Sequence, residues 1–282
     1  MTTETQNANP PYFVPSPSLY PNVINWGLFL LALGFVLKLN ALSGVLLMLA
    51  GTVLVLYGSL AWVSDVVCEN ERGLYRKWED RSFRVGMGYF IGAELVFFMA
   101  FILALMYLRV FAIPALGATP DLWPGFAGTW PSSGPGGKPF TPIPAWGAPA
   151  ASTLLLLLSA ASVIWSRAGI VKNNRGQMGS GILITLLLGV TFFTSQFLEY
   201  GHASGLGVTI TNGAYGTMFY MLTGFHGLHL LAGLILLLAV LLRSFVGHFN
   251  AEHHFGLEAA AWYWNFVVVA PGLLVFIYFY WL

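Results

Sequence analysis

The carboxylate best placed for chemistry is Glu94, which lies deep inside the apolar stretch Val85–Leu108. That stretch is apolar for about the length needed to cross a bilayer, and an ionisable side chain at such a depth is costly. Because apolar surroundings disfavour the charged form of a carboxyl group, we expect Glu94 to hold its proton at neutral pH and to serve a function. A hydrogen bond that merely joins two helices is the alternative, but a serine or asparagine would serve that purpose at lower cost. At helical spacing the neighbours of Glu94 are Met87, Phe90, Ile91, Phe97, Phe98 and Phe101.

The composition is that of a polytopic membrane protein. Of the 282 residues, 57% are hydrophobic and 8% are charged, and the mean hydropathy is +0.74. A soluble protein carries about three times that charged fraction. The net charge of +1 gives no sign of a nucleic-acid partner, and the single cysteine, Cys68, excludes an intrachain disulfide and an all-cysteine metal site. Residues 1–20 lack a basic segment followed by an apolar core, so we expect no cleavable signal peptide.

Seven apolar runs follow one another along the chain, and each is predicted to be a transmembrane helix of an all-α fold. A polar N-terminal segment, 1–20, precedes a tight two-helix hairpin, 21–63. A charged inner-side linker, 64–84, joins the hairpin to five further spans in residues 85–282. The predicted spans are Pro21–Leu39, Leu42–Val63, Val85–Leu108, Trp146–Trp165, Gly179–Tyr200, Ala214–Arg243 and Glu258–Leu282.

A Pro/Gly-rich outer loop is predicted at 110–145, between the third and fourth spans. Its prolines are expected to exclude a helix. Its aromatic residues Trp123, Phe126 and Trp130 are typical of a surface at the membrane interface.

The basic residues predict the orientation of the chain. Nine of them flank one set of predicted span ends and three flank the other. By the positive-inside rule the N-terminus is cytoplasmic and the C-terminus is outside, which agrees with an odd number of spans. The nine are Arg72, Arg76, Lys77, Arg81, Arg84, Arg167, Lys172, Arg175 and Arg243, and the three are Lys38, Arg109 and Lys138.

The histidines raise the question of a haem or metal site. His226 and His229, in FHGLH, are three residues apart on the sixth span and so point to roughly the same face. Imidazole suits haem and metals, but no second histidine pair at membrane depth completes a bis-histidine site. We therefore expect both histidines to make interhelical hydrogen bonds, and we expect the isolated chain to bind no redox metal. The remaining histidines lie at span ends or in the last inner loop: His202, His248, His253 and His254.

Three motifs resemble subunit III of haem–copper cytochrome c oxidases: GAELVFF around Glu94, GFHGLHLLAG at 224–233 and HHFGLEAAAWYW at 253–264. From Trp62 to the C-terminus the resemblance rests on motifs, and in the first hairpin on position and hydropathy. It implies seven transmembrane helices in two bundles, helices 1–2 and 3–7, with phospholipids in a V-shaped cleft between them. It also implies an accessory subunit without haem or copper, which packs against the catalytic subunit I.

The resemblance assigns roles to single residues. Glu94 matches the buried carboxylate of the third helix, which reacts with an apolar carbodiimide and lies on the way to the proton-entry region of subunit I. The residues matched to lipid binding are Trp62, Glu69, Arg84, Arg243 and His248, and those expected to be structural polar groups are Asp65, Glu199, His226 and His229.

Several positions depart from the family pattern. Cys68 stands where an arginine is usual, and Tyr75 aligns with a histidine. In the seventh span Asn265 replaces a histidine, Val268 replaces an aspartate, and Pro271 is expected to kink the helix. These changes concern lipid and neighbour-subunit contacts, because they remove polar groups from faces where the family carries them.

The predicted function is that of an accessory subunit in a complex that reduces oxygen with electrons from cytochrome c and pumps protons. The expected partners are subunit I as main contact, subunit II, small subunits and phospholipid, with haem and copper in the partner subunits. The expected location is a prokaryotic plasma membrane, and a mitochondrial inner membrane is the second choice. The alternatives are subunit III of a quinol-oxidising relative, a proton-coupled transporter that uses Glu94, and a b-type haem protein. The quinol-oxidising relative typically has five spans, whereas seven are predicted here. A transporter typically shows inverted repeats, and a b-type haem protein needs a second histidine pair; the sequence shows neither.

Overall fold

The computed structural model describes residues 13–75, 77–247, 249 and 254–281, and within these ranges the regular secondary structure is helical. Seven helices in the described part of the chain are long and apolar enough to cross a membrane. The prediction of an all-α fold with seven spans is therefore confirmed. The long helices are α1 (Tyr20–Leu39), α2 (Val45–Glu71), α3 (Lys77–Tyr107), α4 (Ala148–Val171), α5 (Arg175–Gly205), α6 (Gly213–Val246) and α7 (Phe255–Val275).

Helices α1 and α2 form an antiparallel pair whose contact is made by glycines. The buried residues of α1 are Gly27 and Gly34, and those of α2 are Gly51 and Gly58. A Cβ atom added to Gly51 would lie 2.6 Å from the carbonyl oxygen of Gly27, so the two backbones approach to direct contact. Small residues at an interface let membrane helices gain van der Waals contact where there is no water to drive association.

Helix α3 contains the boundary between two compact units of the chain, which lies between Phe83 and Arg84. After its α-helical part the chain stays helical, through a π-helical turn at Leu108–Ala112 and a short helix at Ile113–Gly117. The prediction that prolines exclude a helix from the whole outer loop is therefore wrong for its first part. Pro114 lies in the first turn of the short helix, where a missing N–H donor costs little.

The charged linker predicted at 64–84 is mostly helical, because α2 continues to Glu71 and α3 begins at Lys77. Glu79 and Asp80 lie in the first turn of α3. Negative charge is favourable there, because the N-terminal end of a helix carries a partial positive charge.

The second unit is held together by side chains around Trp264. This side chain is 0% exposed, and its Nε1 donates a hydrogen bond to Ser159 Oγ of α4 at 3.0 Å. Gly233 of α6 leaves room for the indole, because a Cβ atom there would lie 2.8 Å from Trp264 Cε3. Helices α4 to α7 each contribute buried residues to the core of this unit.

The loop before α4 packs against Tyr215 of α6, in the same unit. The ring of Phe140 stacks on that of Tyr215 at 4.8 Å, and the backbone N–H of Ile143 donates to the Tyr215 hydroxyl at 3.2 Å. Trp123 is 41% exposed, whereas Trp130 is partly buried with its ring 5.6 Å from that of Tyr215. The loop therefore contributes to the core of the unit as well as to its surface.

Candidate functional site

The candidate site is a carboxyl–imidazole pair between α3 and α6. Glu94 Oε2 lies 2.8 Å from His229 Nε2. The other ring nitrogen, Nδ1, lies 2.7 Å from the carbonyl oxygen of Phe225, one turn earlier in α6. The side chains of Glu94 and His229 are 20% and 17% exposed, so the pair lies at the edge of the second unit and can be reached from its surface.

The carbonyl of Phe225 determines where His229 carries its first proton. A carbonyl oxygen only accepts hydrogen bonds, so Nδ1 bears the hydrogen and donates it. Nε2 then either accepts a hydrogen bond from a protonated Glu94 or, in an imidazolium, donates one to the carboxylate. Both arrangements are neutral overall, and they differ only in the position of one proton along the contact. The pair can therefore move a proton internally without rotating a side chain.

Aromatic rings cover the pair on the side of α3. The ring of Phe98, which is 1% exposed, lies 4.9 Å from the His229 ring, and that of Phe97 lies 5.6 Å from it. Phe90 is 46% exposed, and its ring lies 5.9 Å from that of Tyr263, whose hydroxyl donates to the backbone carbonyl of His229 at 3.2 Å. Of the neighbours predicted for Glu94, Phe97 and Phe98 thus contact its partner, and Phe90 packs against α7.

His226 is buried in the interior of the second unit, and its Nε2 lies 3.1 Å from the carbonyl oxygen of Val267 in α7. In an α-helix this carbonyl accepts from the N–H four residues later, but that residue is Pro271, which has no N–H. His226 therefore supplies the donor that α7 lacks, and α7 continues as an α-helix to Val275. The two neighbouring histidines thus have different partners on different helices.

Within the described ranges, no group of three or more histidine, cysteine or acidic side chains could hold a metal ion. His248 and His253 lie outside these ranges. The expectation that the isolated chain binds no redox metal therefore stays a prediction.

Glu258, in the first turn of α7, is a buried carboxylate to which the sequence analysis gave no role. It forms ion pairs with Arg84 of α3 and Arg167 of α4. The Glu258 side chain is 6% exposed, against 34% and 44% for the two arginines. An acid at the start of an apolar span, inside the motif FGLEAAAWYW, was the available signal. In this cluster one carboxylate is thus shared by two guanidinium groups.

The predicted lipid-binding arginines lie beside aromatic rings. The Arg84 guanidinium lies 5.3 Å from the centroid of the Phe255 ring, and that of Arg243 lies 5.0 Å from the centroid of the Phe249 ring. His248 lies outside the described residues. Both rings are close in sequence to the start of α7, so the two arginines are held near the same end of that helix.

In the first unit, Trp62, Asp65 and Glu69 line one cavity of about 630 Å³ at the end of α2. The hydroxyl of Tyr75 donates to Glu69 Oε2 at 2.6 Å. Burial and the neighbouring Glu69 carboxylate raise the pKa of the Tyr75 phenol well above its ordinary value. Cys68, which stands in place of the usual arginine, is exposed. These residues form a second polar region, separate in sequence from the Glu94 pair.

The departures in α7 have local consequences. The side-chain amide of Asn265 donates to the carbonyl of Ala261, one turn back in the same helix, at 2.8 Å. Val268 is 1% exposed and belongs to the apolar core. The first change therefore turns a side chain back onto its own helix, and the second adds apolar packing.

Glu199, predicted to be a structural polar residue, is buried on α5 at 5% exposure. Its Oε1 accepts a hydrogen bond from the Tyr280 hydroxyl at 2.8 Å, and its Oε2 accepts one from Gln196 Nε2 at 3.2 Å. The carboxyl group thus has two neutral donors, one from its own helix and one from the end of the chain.

Known proteins resemble the chain over almost its whole length. The family model for cytochrome c oxidase subunit III matches residues 10–282. Two proteins named cytochrome c oxidase subunit 3, from Tachyglossus aculeatus aculeatus and Scyliorhinus canicula, are each 35% identical to this chain. Both matches cover 96% of this chain, and they cover 96% and 97% of the two relatives, respectively. The protein of that name from Pylaiella littoralis is 35% identical, over 96% of this chain and 93% of its own. The resemblance seen in the motifs is thereby confirmed, and the chain belongs to the cytochrome c oxidase subunit III family.

Proposed function

We propose that the chain is the accessory, non-redox subunit of a proton-pumping cytochrome c oxidase, where it supports proton uptake into the catalytic subunit I, retains phospholipid and stabilises that subunit. The observation that carries the proposal is the Glu94–His229 pair, an acid and a base in direct contact on two membrane-spanning helices. Such a pair holds an exchangeable proton at membrane depth and has no net charge. It therefore avoids the large free-energy cost of placing an unpaired charge inside the membrane.

The pair modulates proton uptake and is not an obligatory carrier. It lies at the edge of this subunit, whereas haem and copper belong to the partner subunits. Its partial exposure leaves the carboxyl accessible to an apolar carbodiimide, which attacks the protonated form.

The substitution Glu94→Gln tests this role in the assembled complex. Glutamine keeps the size of the side chain and a donor for His229 Nε2, but it cannot release a proton. We expect oxygen reduction to stay largely intact, carbodiimide labelling of this chain to disappear, and proton pumping or stability under turnover to fall at most modestly. Asp121→Asn, at an exposed loop position, is the matched control and should leave labelling and pumping unchanged. Loss of oxygen reduction in fully assembled Glu94→Gln complex would contradict the proposal, because the residue would then be an essential carrier.

Phospholipid retention is proposed for the basic end of the second unit and for the region around Trp62 and Glu69. Three arginines near the start of α7, Arg84, Arg167 and Arg243, support an anionic headgroup there, since guanidinium groups bind phosphate in a bidentate manner. Replacing Arg84 and Arg243 together by alanine should lower the phospholipid that copurifies with the complex. Replacing Arg109 and Lys138, on the predicted opposite side, should not. Equal lipid content in the two double variants would count against this part of the proposal.

The choice of cytochrome c over a quinol as electron donor is supported by the seven spans, because five are typical of the quinol-oxidising relatives. The proposed setting is a prokaryotic plasma membrane with a cytoplasmic N-terminus, supported by the nine-to-three distribution of basic residues. A reporter fused after the last residue should report an external C-terminus, and a cytoplasmic signal would overturn the orientation.

A further inference from the structure

A small cavity with polar and apolar walls lies between α4, α5, α6, α7 and the end of the chain in the second unit. Its volume is about 30 Å³. A cavity of roughly 10–15 Å³ is large enough for one water molecule, and a cavity without polar groups in its wall stays empty. The polar side chains of its wall are Ser152, Thr153, Gln196, Glu199, Thr223, His226 and Tyr280.

Glu199 is the acid of this cavity. Among the described residues its hydrogen-bond donors are the neutral side chains of Gln196 and Tyr280, and no ion pair reaches it. A carboxylate at 5% exposure with neutral donors alone would be an uncompensated buried charge, which costs several kcal/mol. Burial with neutral donors favours the protonated form of this carboxyl group, and the O–H of that form needs an acceptor.

His226 is the base of the same cavity. Its Nε2 faces the Val267 carbonyl, which only accepts, so Nε2 carries the ring hydrogen and Nδ1 is a lone-pair acceptor. The ring is 5% exposed and lines the cavity. Both side chains line the same small space. Among the described residues, His226 forms its hydrogen bond through Nε2 alone and both partners of Glu199 are donors, so water between the two side chains could supply the donor and the acceptor that are missing.

We propose that this cavity is a hydrated site, in which one or two ordered water molecules join the carboxyl group of Glu199 to Nδ1 of His226. Water fits the site because it donates and accepts, as a neutral acid and a neutral imidazole together require. Thr223 lines the same space. Its hydroxyl donates to the Phe219 carbonyl at 2.7 Å and accepts from the Tyr200 hydroxyl at 3.0 Å, so one lone pair of its oxygen is left to accept from water. The site is a second acid–imidazole unit, bridged by water, where Glu94 and His229 are in direct contact.

The first test is a map of the intact complex at a resolution that shows ordered water. We expect density within hydrogen-bonding distance of Glu199 and His226. An empty cavity would contradict the proposed hydrated site. It would leave the proposed function unaffected, because that function rests on the Glu94–His229 pair.

The second test fills the cavity. A Cβ atom on Gly272 would have its nearest neighbours, Cε1 and Nε2 of His226, at 3.6 Å, so Gly272→Ala adds a methyl group to the cavity wall without a clash. We expect the water density to be lost. The infrared carbonyl band of the protonated acid, which shifts in D2O and disappears in Glu199→Gln, should move to higher frequency in Gly272→Ala as it loses its hydrogen-bond acceptor.

The control for the filled cavity is Gly179→Ala, where an added Cβ atom meets nothing within 4 Å. This variant should keep both the water and the band position. If Glu199→Gln removes no protonated-acid band from the intact complex, Glu199 is ionised and the proposal fails, whether or not Gly272→Ala assembles.

Discussion

The two units of the chain are held together in opposite ways. In the helix pair of the first unit the buried residues are glycines, and the contact is backbone against backbone. In the second unit the buried residues include a tryptophan, several phenylalanines, two acids and a histidine, and the contact is made by side chains. The difference shows that two helices can pack closely with glycines as their buried residues, whereas acid–base chemistry requires titratable side chains. The Glu94–His229 pair and the cavity lined by Glu199 and His226 both lie in the second unit.

The largest effect is expected from Trp264→Ala. The indole is completely buried and donates to Ser159, so its removal leaves a large cavity and takes one hydrogen-bond donor from the Ser159 hydroxyl, which keeps its bond to the Leu156 carbonyl. Trp-to-Ala changes in cores cost about 3–5 kcal/mol. Unfolding of the purified chain in mixed micelles should show that loss, and a cost under about 1 kcal/mol would mean that side-chain packing does not hold the second unit together.

Gly51→Ala tests the first unit. The new Cβ atom would lie 2.6 Å from Gly27 O and 2.7 Å from Leu31 N, and backbone atoms cannot move aside as a side chain can. Overpacking costs typically about 1–3 kcal/mol, and we expect the upper end of that range, seen as easier unfolding or proteolysis of the hairpin.

The matched control is Gly86→Ala in α3, where an added Cβ atom has open space. This change should be neutral or stabilise the helix by up to about 1 kcal/mol. Equal behaviour of the two alanine variants would show that the glycine contacts of the first unit are not decisive.

Glu258→Gln examines a polar contact of the second unit. The substitution removes the charge that two arginines share and leaves both guanidinium groups repelling each other. Hydrogen bonds to charged groups are worth roughly 1.5–3 kcal/mol, and the partial exposure of the arginines places the expected cost near about 2 kcal/mol. Added salt should reduce the difference from the unsubstituted chain. A cost that does not change with salt would indicate a packing role for Glu258.

The smallest effect is expected for Tyr75→Phe in the first unit. Because burial and Glu69 raise the pKa of Tyr75, the folded chain keeps this proton when the unfolded chain loses it. The stabilisation is complete below about pH 10, the ordinary pKa of tyrosine, and is lost as the pH rises through the higher pKa of the folded state. Tyr75→Phe should therefore cost at most about 1 kcal/mol at neutral pH and flatten the alkaline decline in stability. Parallel curves for both proteins would contradict this linkage.

Hydropathy and motifs were enough to predict the seven helices and the family, because the cost of burying polar groups in a bilayer acts on each span separately. Contacts between helices were not predictable in the same way. Glu94 and His229 are 135 positions apart, and helical periodicity states which residues share a face but not which helix that face meets. For the same reason, the ion pairs of Glu258 with Arg84 and Arg167 could not be predicted from the sequence.

Local chemistry explains the remaining difference between prediction and structure. The prolines of the outer loop predict the absence of a helix, but Pro114 lies in the first turn of a short helix, where a missing N–H donor costs little. A rule that counts prolines does not register their position relative to a helix start, so it does not predict the short helix at Ile113–Gly117.

The missing N–H of Pro271 makes two distant positions depend on each other. Changing a proline inside a helix to alanine normally stabilises the helix, but here an alanine N–H would compete with His226 for the Val267 carbonyl. The gain should therefore be smaller than usual while His226 is present and should be recovered in full once His226 is replaced. A double-mutant cycle over the two positions would report this as a non-zero coupling energy. An amino acid at 271 would then be tolerated or rejected according to the residue at 226, although neither forms a bond to the other.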